Sequence, residues 1–125
     1  MRDLDPANST LLSWTDCEHF SDAFLPGMSC EDKKQAGLSP AYNNLENLTS
    51  ALFLCGTADG MLDDQLLMGA KWQIAGNEAI VRFIPGACHG FMTFDGNKIK
   101  VTRQGWDTAI DYINYKLKAT YGEKP

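Results

Sequence analysis

Asp59 and His89 are the residues of this chain best placed to do chemistry, because each follows a short apolar run that reads as a buried strand. Ala51-Leu52-Phe53-Leu54-Cys55-Gly56-Thr57 leads into Asp59, and Glu78-Ala79-Ile80-Val81-Arg82-Phe83-Ile84-Pro85-Gly86 leads into His89-Gly90-Phe91. Two strand ends can bring a carboxylate and an imidazole into hydrogen-bond reach, where the acid fixes the tautomer of the base and stabilises its protonated form. An acid and a base so arranged are two members of a hydrolytic triad. The nucleophile is missing, since none of the six serines sits in a G-x-S-x-G elbow.

Other residues with reactive side chains fit the part less well. Ser29, in Gly27-Met28-Ser29-Cys30-Glu31, has half an elbow but no apolar strand before it to support the strained turn. His19 stands beside Glu18 on an expected helix, with neither a nucleophile nor an orienting acid in view. Cys88 adjoins His89, and a neighbouring residue cannot easily aim its sulfur at the ring that must deprotonate it. Asp63 and Asp64 read as caps of a following helix. Trp14, Phe20 and Phe24 could line a substrate pocket, although packed hydrophobes are the commoner role for such residues.

The elements that must position the acid and the histidine alternate. From residue 51 the pattern is strand, helix, strand, loop and helix, as expected of parallel strands joined by crossovers, hence an α/β fold. In the first of these helices Leu67, Ala70 and Ile74 share a side, and Gly76 follows as a left-handed stop. Over residues 103 to 119, Trp106, Ile110, Ile113 and Leu117 recur at intervals of four, three and four, a stripe expected to pack on a sheet face. Upstream, residues 11 to 25 read as a short helix ended by Pro26-Gly27. Residues 27 to 47 read as an irregular connection with a turn at Leu38-Ser39-Pro40 that needs something to lie against. Tyr121 to Pro125 should form a frayed tail.

Composition bounds the rest. A chain of 125 residues with 44% apolar content makes one globular domain. Its net charge of −5, from 16 acids against 11 bases without a basic cluster, gives no footprint for nucleic acid or an anionic membrane, so small neutral ligands or protein partners are expected. No apolar stretch approaches the roughly 18 to 20 residues that span a bilayer. Met1-Arg2-Asp3-Leu4-Asp5-Pro6 is too polar and acidic for a signal peptide, so the chain as written reads as cytoplasmic, with localisation left open to an upstream targeting segment. Cys17, Cys30, Cys55 and Cys88 show no C-x-x-C spacing, which argues against a zinc site; Cys17 and Cys30 could pair in an oxidising compartment. Asn8-Ser9-Thr10 and Asn47-Leu48-Thr49 are sequons compatible with secretion.

Two parallel strands make a poor domain, because such sheets are normally buried on both faces within a larger array. The strand at 51 to 56 is therefore expected to have an outer neighbour beyond this chain, and its bare edge to favour association.

Several segments together carry a family likeness. These are Ser39-Pro40, Cys55-Gly56-Thr57-Ala58-Asp59-Gly60-Met61-Leu62-Asp63-Asp64, the helix end Ala75-Gly76, and Ile84-Pro85-Gly86-Ala87-Cys88-His89-Gly90-Phe91. In these the chain resembles the C-terminal part of the α/β-hydrolase fold and, more narrowly, hormone-sensitive-lipase-type esterases of the arylacetamide deacetylase-like group. The resemblance is close over residues 39 to about 119 and loose over 11 to 38. It implies a cap or connecting segment over 1–38 and an incomplete three-layer hydrolase core over 39–125. It also implies that Asp59 is the triad acid and His89 the triad histidine of a serine carboxylic ester hydrolase, with no metal or organic cofactor and a small ester as substrate. Gly60 stands where the family often has proline, and Ala58 precedes the acid. The serine and a Gly-rich oxyanion loop would both lie before residue 1, so the N-terminal part of the hydrolase is the expected structural partner, and this polypeptide alone is expected to be inactive. A non-catalytic binding or partner-dependent module derived from this fold is the alternative.

Overall fold

The two apolar runs form strands that pair in parallel: β1 (Ala51–Gly56) lies beside β2 (Ala79–Ile84), with Ala51 opposite Ala79 and Gly56 opposite Ile84. The computed structural model describes residues 11–122. Within them, α1 (Trp14–Phe24) precedes β1, α2 (Leu62–Ile74) connects the strands, and α3 (Lys100–Tyr121) follows β2. Short 3-10 turns occur at Asp32–Lys34, Pro40–Tyr42 and Phe91–Thr93. The Asn8 sequon, the polar N-terminus and the tail residues Glu123 to Pro125 lie outside the described residues.

Side chains along a strand alternate between faces, and each face of this sheet carries one helix. On one side Phe53 and Val81 meet α2, where the Phe53 and Trp72 rings pack edge to face with centroids 5.7 Å apart. On the other side Leu54 and Ile84 join Ala87, Phe91, Met92 and Val101 in the main apolar cluster beneath α3. Strand alternation alone accounts for this three-layer arrangement.

The helices bury different faces from those their apolar stripes mark. In α2, Leu67 and Ile74 point outward, Ile74 being 85% exposed, while the buried residue is Gly69. A β-carbon at Gly69 would lie 2.4 Å from Val81 Cγ2, so the helix backbone rests directly on the strand. In α3, Trp106, Ile110, Ile113 and Leu117 are each about half exposed, whereas Thr102 and Gly105 are buried against the 3-10 turn at Phe91. Small residues win these positions because they permit a close approach that bulky ones would prevent.

Asp63 and Asp64 are not caps. The N-cap of α2 is Met61, without a side-chain hydrogen bond, and both acids sit in the first turn, where the helix dipole favours negative charge. Gly76 does end the helix in the left-handed region, at φ 88°. The helix α1 opens with a reciprocal capping box between Ser13 and Asp16 and buries no residue.

The irregular connection lies against the far end of α2. Lys71 Nζ donates to the Ala41 carbonyl at 2.6 Å, Trp72 Nε1 to the Thr49 carbonyl at 3.0 Å and Asn77 Nδ2 to the Leu45 carbonyl at 2.5 Å. Asn77 Oδ1 in turn accepts the Leu48 N–H. These side-chain bonds give an aperiodic stretch the backbone partners that regular structure would otherwise provide. All four cysteines are free, so Cys17 and Cys30 form no disulfide.

Candidate active site

Asp59 and His89 meet at the end of the sheet where both strands finish. His89 Nδ1 lies 3.2 Å from Asp59 Oδ1 and 3.1 Å from Oδ2, so one ring nitrogen faces both carboxylate oxygens. An ionised carboxylate can only accept, which assigns the hydrogen of a neutral imidazole to Nδ1 and leaves the Nε2 lone pair free. The Asp59 side chain is 10% exposed and that of His89 41% exposed. The acid is therefore shielded while the base still reaches solvent.

Backbone geometry fixes the acid first. After Gly56 the chain turns, with the Asp59 N–H donating to the Gly56 carbonyl and the Leu62 N–H to the Asp59 carbonyl, both at 3.2 Å. Asp59 Oδ1 also accepts the Met61 N–H at 2.9 Å, an Asx turn that locks the carboxylate ahead of α2.

The segment after β2 is brought to the acid by three hydrogen bonds. Thr57 N–H donates to Ile84 O and Ala58 N–H to Ala87 O, each at 3.0 Å, and Gly86 N–H donates to Thr57 Oγ1 at 2.8 Å. A β-carbon on Gly56 would fall 2.0 Å from the Ala87 carbonyl oxygen, so glycine alone lets the two segments touch.

His89-Gly90-Phe91 divides its work among three residues. Gly90 takes a left-handed φ of 66° that turns the chain into the 3-10 turn at Phe91. Phe91 is buried in the apolar cluster, and its carbonyl accepts from Thr102 Oγ1 at 2.7 Å, with Thr102 fully enclosed. Trp106 Nε1 donates to the Met92 carbonyl at 3.1 Å. Thus α3, through Thr102 and Trp106, anchors the segment that presents His89.

The Cys55 and Cys17 thiols are poor nucleophiles. Burial pushes the Cys55 thiol up to about 11, with the neighbouring Asp59 charge acting in the same direction. Burial also raises Cys17, helped by the charges of Asp16, Asp64 and Asp59. Cys88 packs against the Ile84, Ala87 and Phe91 cluster. Ser29 is engaged at its own turn, its hydroxyl donating to Asp32 Oδ2 at 2.6 Å and accepting from the Asp32 N–H at 3.2 Å. Among the described residues no group of three His, Cys, Asp or Glu side chains is arranged to hold a metal ion, and no helix is long and apolar enough to cross a membrane.

Comparison with known families agrees with this architecture. A model of the alpha/beta hydrolase fold family matches residues 2–93. The chain belongs to the α/β-hydrolase fold family. The matched span contains β1, α2, β2, Asp59 and His89, and it takes in residues 11–38, where the motif likeness is loose, and residues 2–10 before them. No curated protein matches the chain. The two parallel strands with a helix on each face are the α/β-hydrolase sheet in part. Thr57, Gly56 and Thr102, which hold the pair together, carry no chemistry-bearing signature in the sequence. The close packing at Gly56 becomes evident only when β1 and the turn after β2 are side by side.

Proposed function

We propose that this chain supplies the acid and the histidine of a serine carboxylic ester hydrolase triad, in a hormone-sensitive-lipase-type esterase or lipase. The observation that carries this reading is the contact of His89 Nδ1 with both oxygens of the shielded Asp59 carboxylate, at 3.1 and 3.2 Å. In the working enzyme a serine hydroxyl attacks the ester carbonyl as His89 Nε2 takes its proton. The imidazolium, held by Asp59, then returns that proton to the departing alcohol, and water repeats the sequence on the acyl-enzyme. Family membership and the chain order of acid before histidine support the assignment.

The nucleophile and the oxyanion donors come from outside the described residues, because none of the serines has an elbow and burial pushes the Cys55 and Cys17 thiols up. The natural partner of residues 39–125 is thus an N-terminal hydrolase portion bearing G-x-S-x-G, with residues 1–38 as the connecting or cap segment. The substrate is a small ester, and no cofactor enters the chemistry.

The test is reconstitution with such a portion, assayed on short p-nitrophenyl esters. D59A and H89A are each expected to lower kcat by about 10³-fold or more, as removal of triad members does. Full activity in both variants would overturn the triad assignment.

A further inference from the structure

The exit from β2 is a type II turn: Pro85 and Gly86 occupy its centre, Gly86 has φ 73°, and the Ala87 N–H closes it onto the Ile84 carbonyl at 3.2 Å. Within that turn the Gly86 N–H is not used by the closing bond and donates to Thr57 Oγ1 at 2.8 Å. The three bonds joining the two post-strand segments differ in kind. Those from Thr57 and Ala58 N–H are backbone to backbone and persist whatever the side chains; the bond to Thr57 Oγ1 depends on one exposed hydroxyl.

We infer that Thr57 is a positioning residue for the Asp59–His89 pair, its hydroxyl fixing the Pro85-Gly86 turn and so the line from Nδ1 to the carboxylate. Thr57 precedes the acid on one segment, and the turn it grips precedes the histidine on the other. A residue so exposed contributes little to the core, and the bond that its hydroxyl makes is the one from the Gly86 N–H of the turn. The inference rests on the reading of Asp59 and His89 as orienter and base.

The experiment is proton NMR of the imidazole N–H in the full chain carrying I113E and L117K, which remove the exposed apolar face of α3, comparing wild type at residues 57 and 59 with T57S, T57V and D59N. Wild type should show a downfield Nδ1–H signal that D59N abolishes. T57S should keep its position and its exchange rate with water within about twofold. T57V should speed that exchange about tenfold, the change that loss of one ordinary hydrogen bond commands, while the amides of Cys55 and Ile84 exchange as before. General destabilisation would move those core amides too. Should T57V fail to fold, T57A serves in its place with the same expectation. Unchanged exchange in T57V, with the signal still dependent on Asp59, would overturn the role of Thr57 and leave the pair standing. A wild-type spectrum with no Asp59-dependent signal would overturn both.

Discussion

Gly56 ends β1 directly under the carbonyl of Ala87, so close that a methyl group at residue 56 would sit 2.0 Å from that oxygen and 2.4 Å from its carbon. Both clashing atoms are backbone, which no rotamer change relieves. G56A is therefore expected to cost about 3 kcal/mol, at the upper end for overpacking. Urea denaturation measures the loss, and the downfield Nδ1–H signal of His89 should vanish with it, because the two post-strand segments are forced apart.

Cys55 gives the fold a pH dependence above neutrality. Its thiol is raised from 9.0 to about 11 in the folded chain, so folded protein keeps that proton to higher pH than unfolded protein does. The stability linked to it is fully present below about pH 9 and is lost as pH climbs from 9 through 11, on the order of 1–2 kcal/mol. Wild type should lose more stability than C55A between pH 8 and pH 10.5. Iodoacetamide at pH 8 should label the exposed Cys30 well before Cys55.

The Tyr112 hydroxyl is enclosed without a hydrogen-bond partner, beside a cleft lined by Leu52, Ile80, Arg82, Thr108 and Tyr115. Removing an unsatisfied polar atom relieves its desolvation cost. Y112F is expected to raise stability by about 1 kcal/mol in thermal or chemical melts, an uncommon sign for a change beneath a helix.

Trp106, Ile110, Ile113 and Leu117 present a continuous apolar face to solvent along α3. Exposed patches of this kind drive association. Purified alone, the chain is expected to aggregate or to unfold with poor cooperativity, as the bare sheet edges also favour. I113E with L117K should shift it toward monomer in analytical ultracentrifugation without changing its far-UV circular dichroism, and that pair of changes is the background in which the unfolding of G56A, C55A and Y112F is compared. A sharp monomeric melt of the wild type would contradict this expectation.

The sheet and the pair were largely legible because their signals are local. Apolar runs bounded by Gly and Pro mark β1 and β2, Gly76 marks the end of α2, and Asp59 and His89 sit just beyond the strand ends. Helix orientation was not legible. Periodicity identifies the most apolar face, yet Gly69, Thr102 and Gly105 occupy the buried one, where closeness of approach counts for more than hydrophobicity. The caps failed for a related reason: the Asx turn at Asp59 and the N-cap at Met61 start α2 earlier, so Asp63 and Asp64 fall inside its first turn. The 3-10 turn at Phe91 has no periodic signal at all, being held from outside by Thr102 and Trp106.

Asp59 and His89 stand thirty residues apart, and what joins them is the continuation of the parallel ladder between β1 and β2. Parallel pairing closes a long loop before any contact rewards it, which makes it a late and slow event. The acid and the histidine thus have no meeting place in a partly folded chain, however well α2 or α3 has formed. They come together only with the sheet, and the appearance of the Nδ1 proton during refolding would time the closing of the ladder.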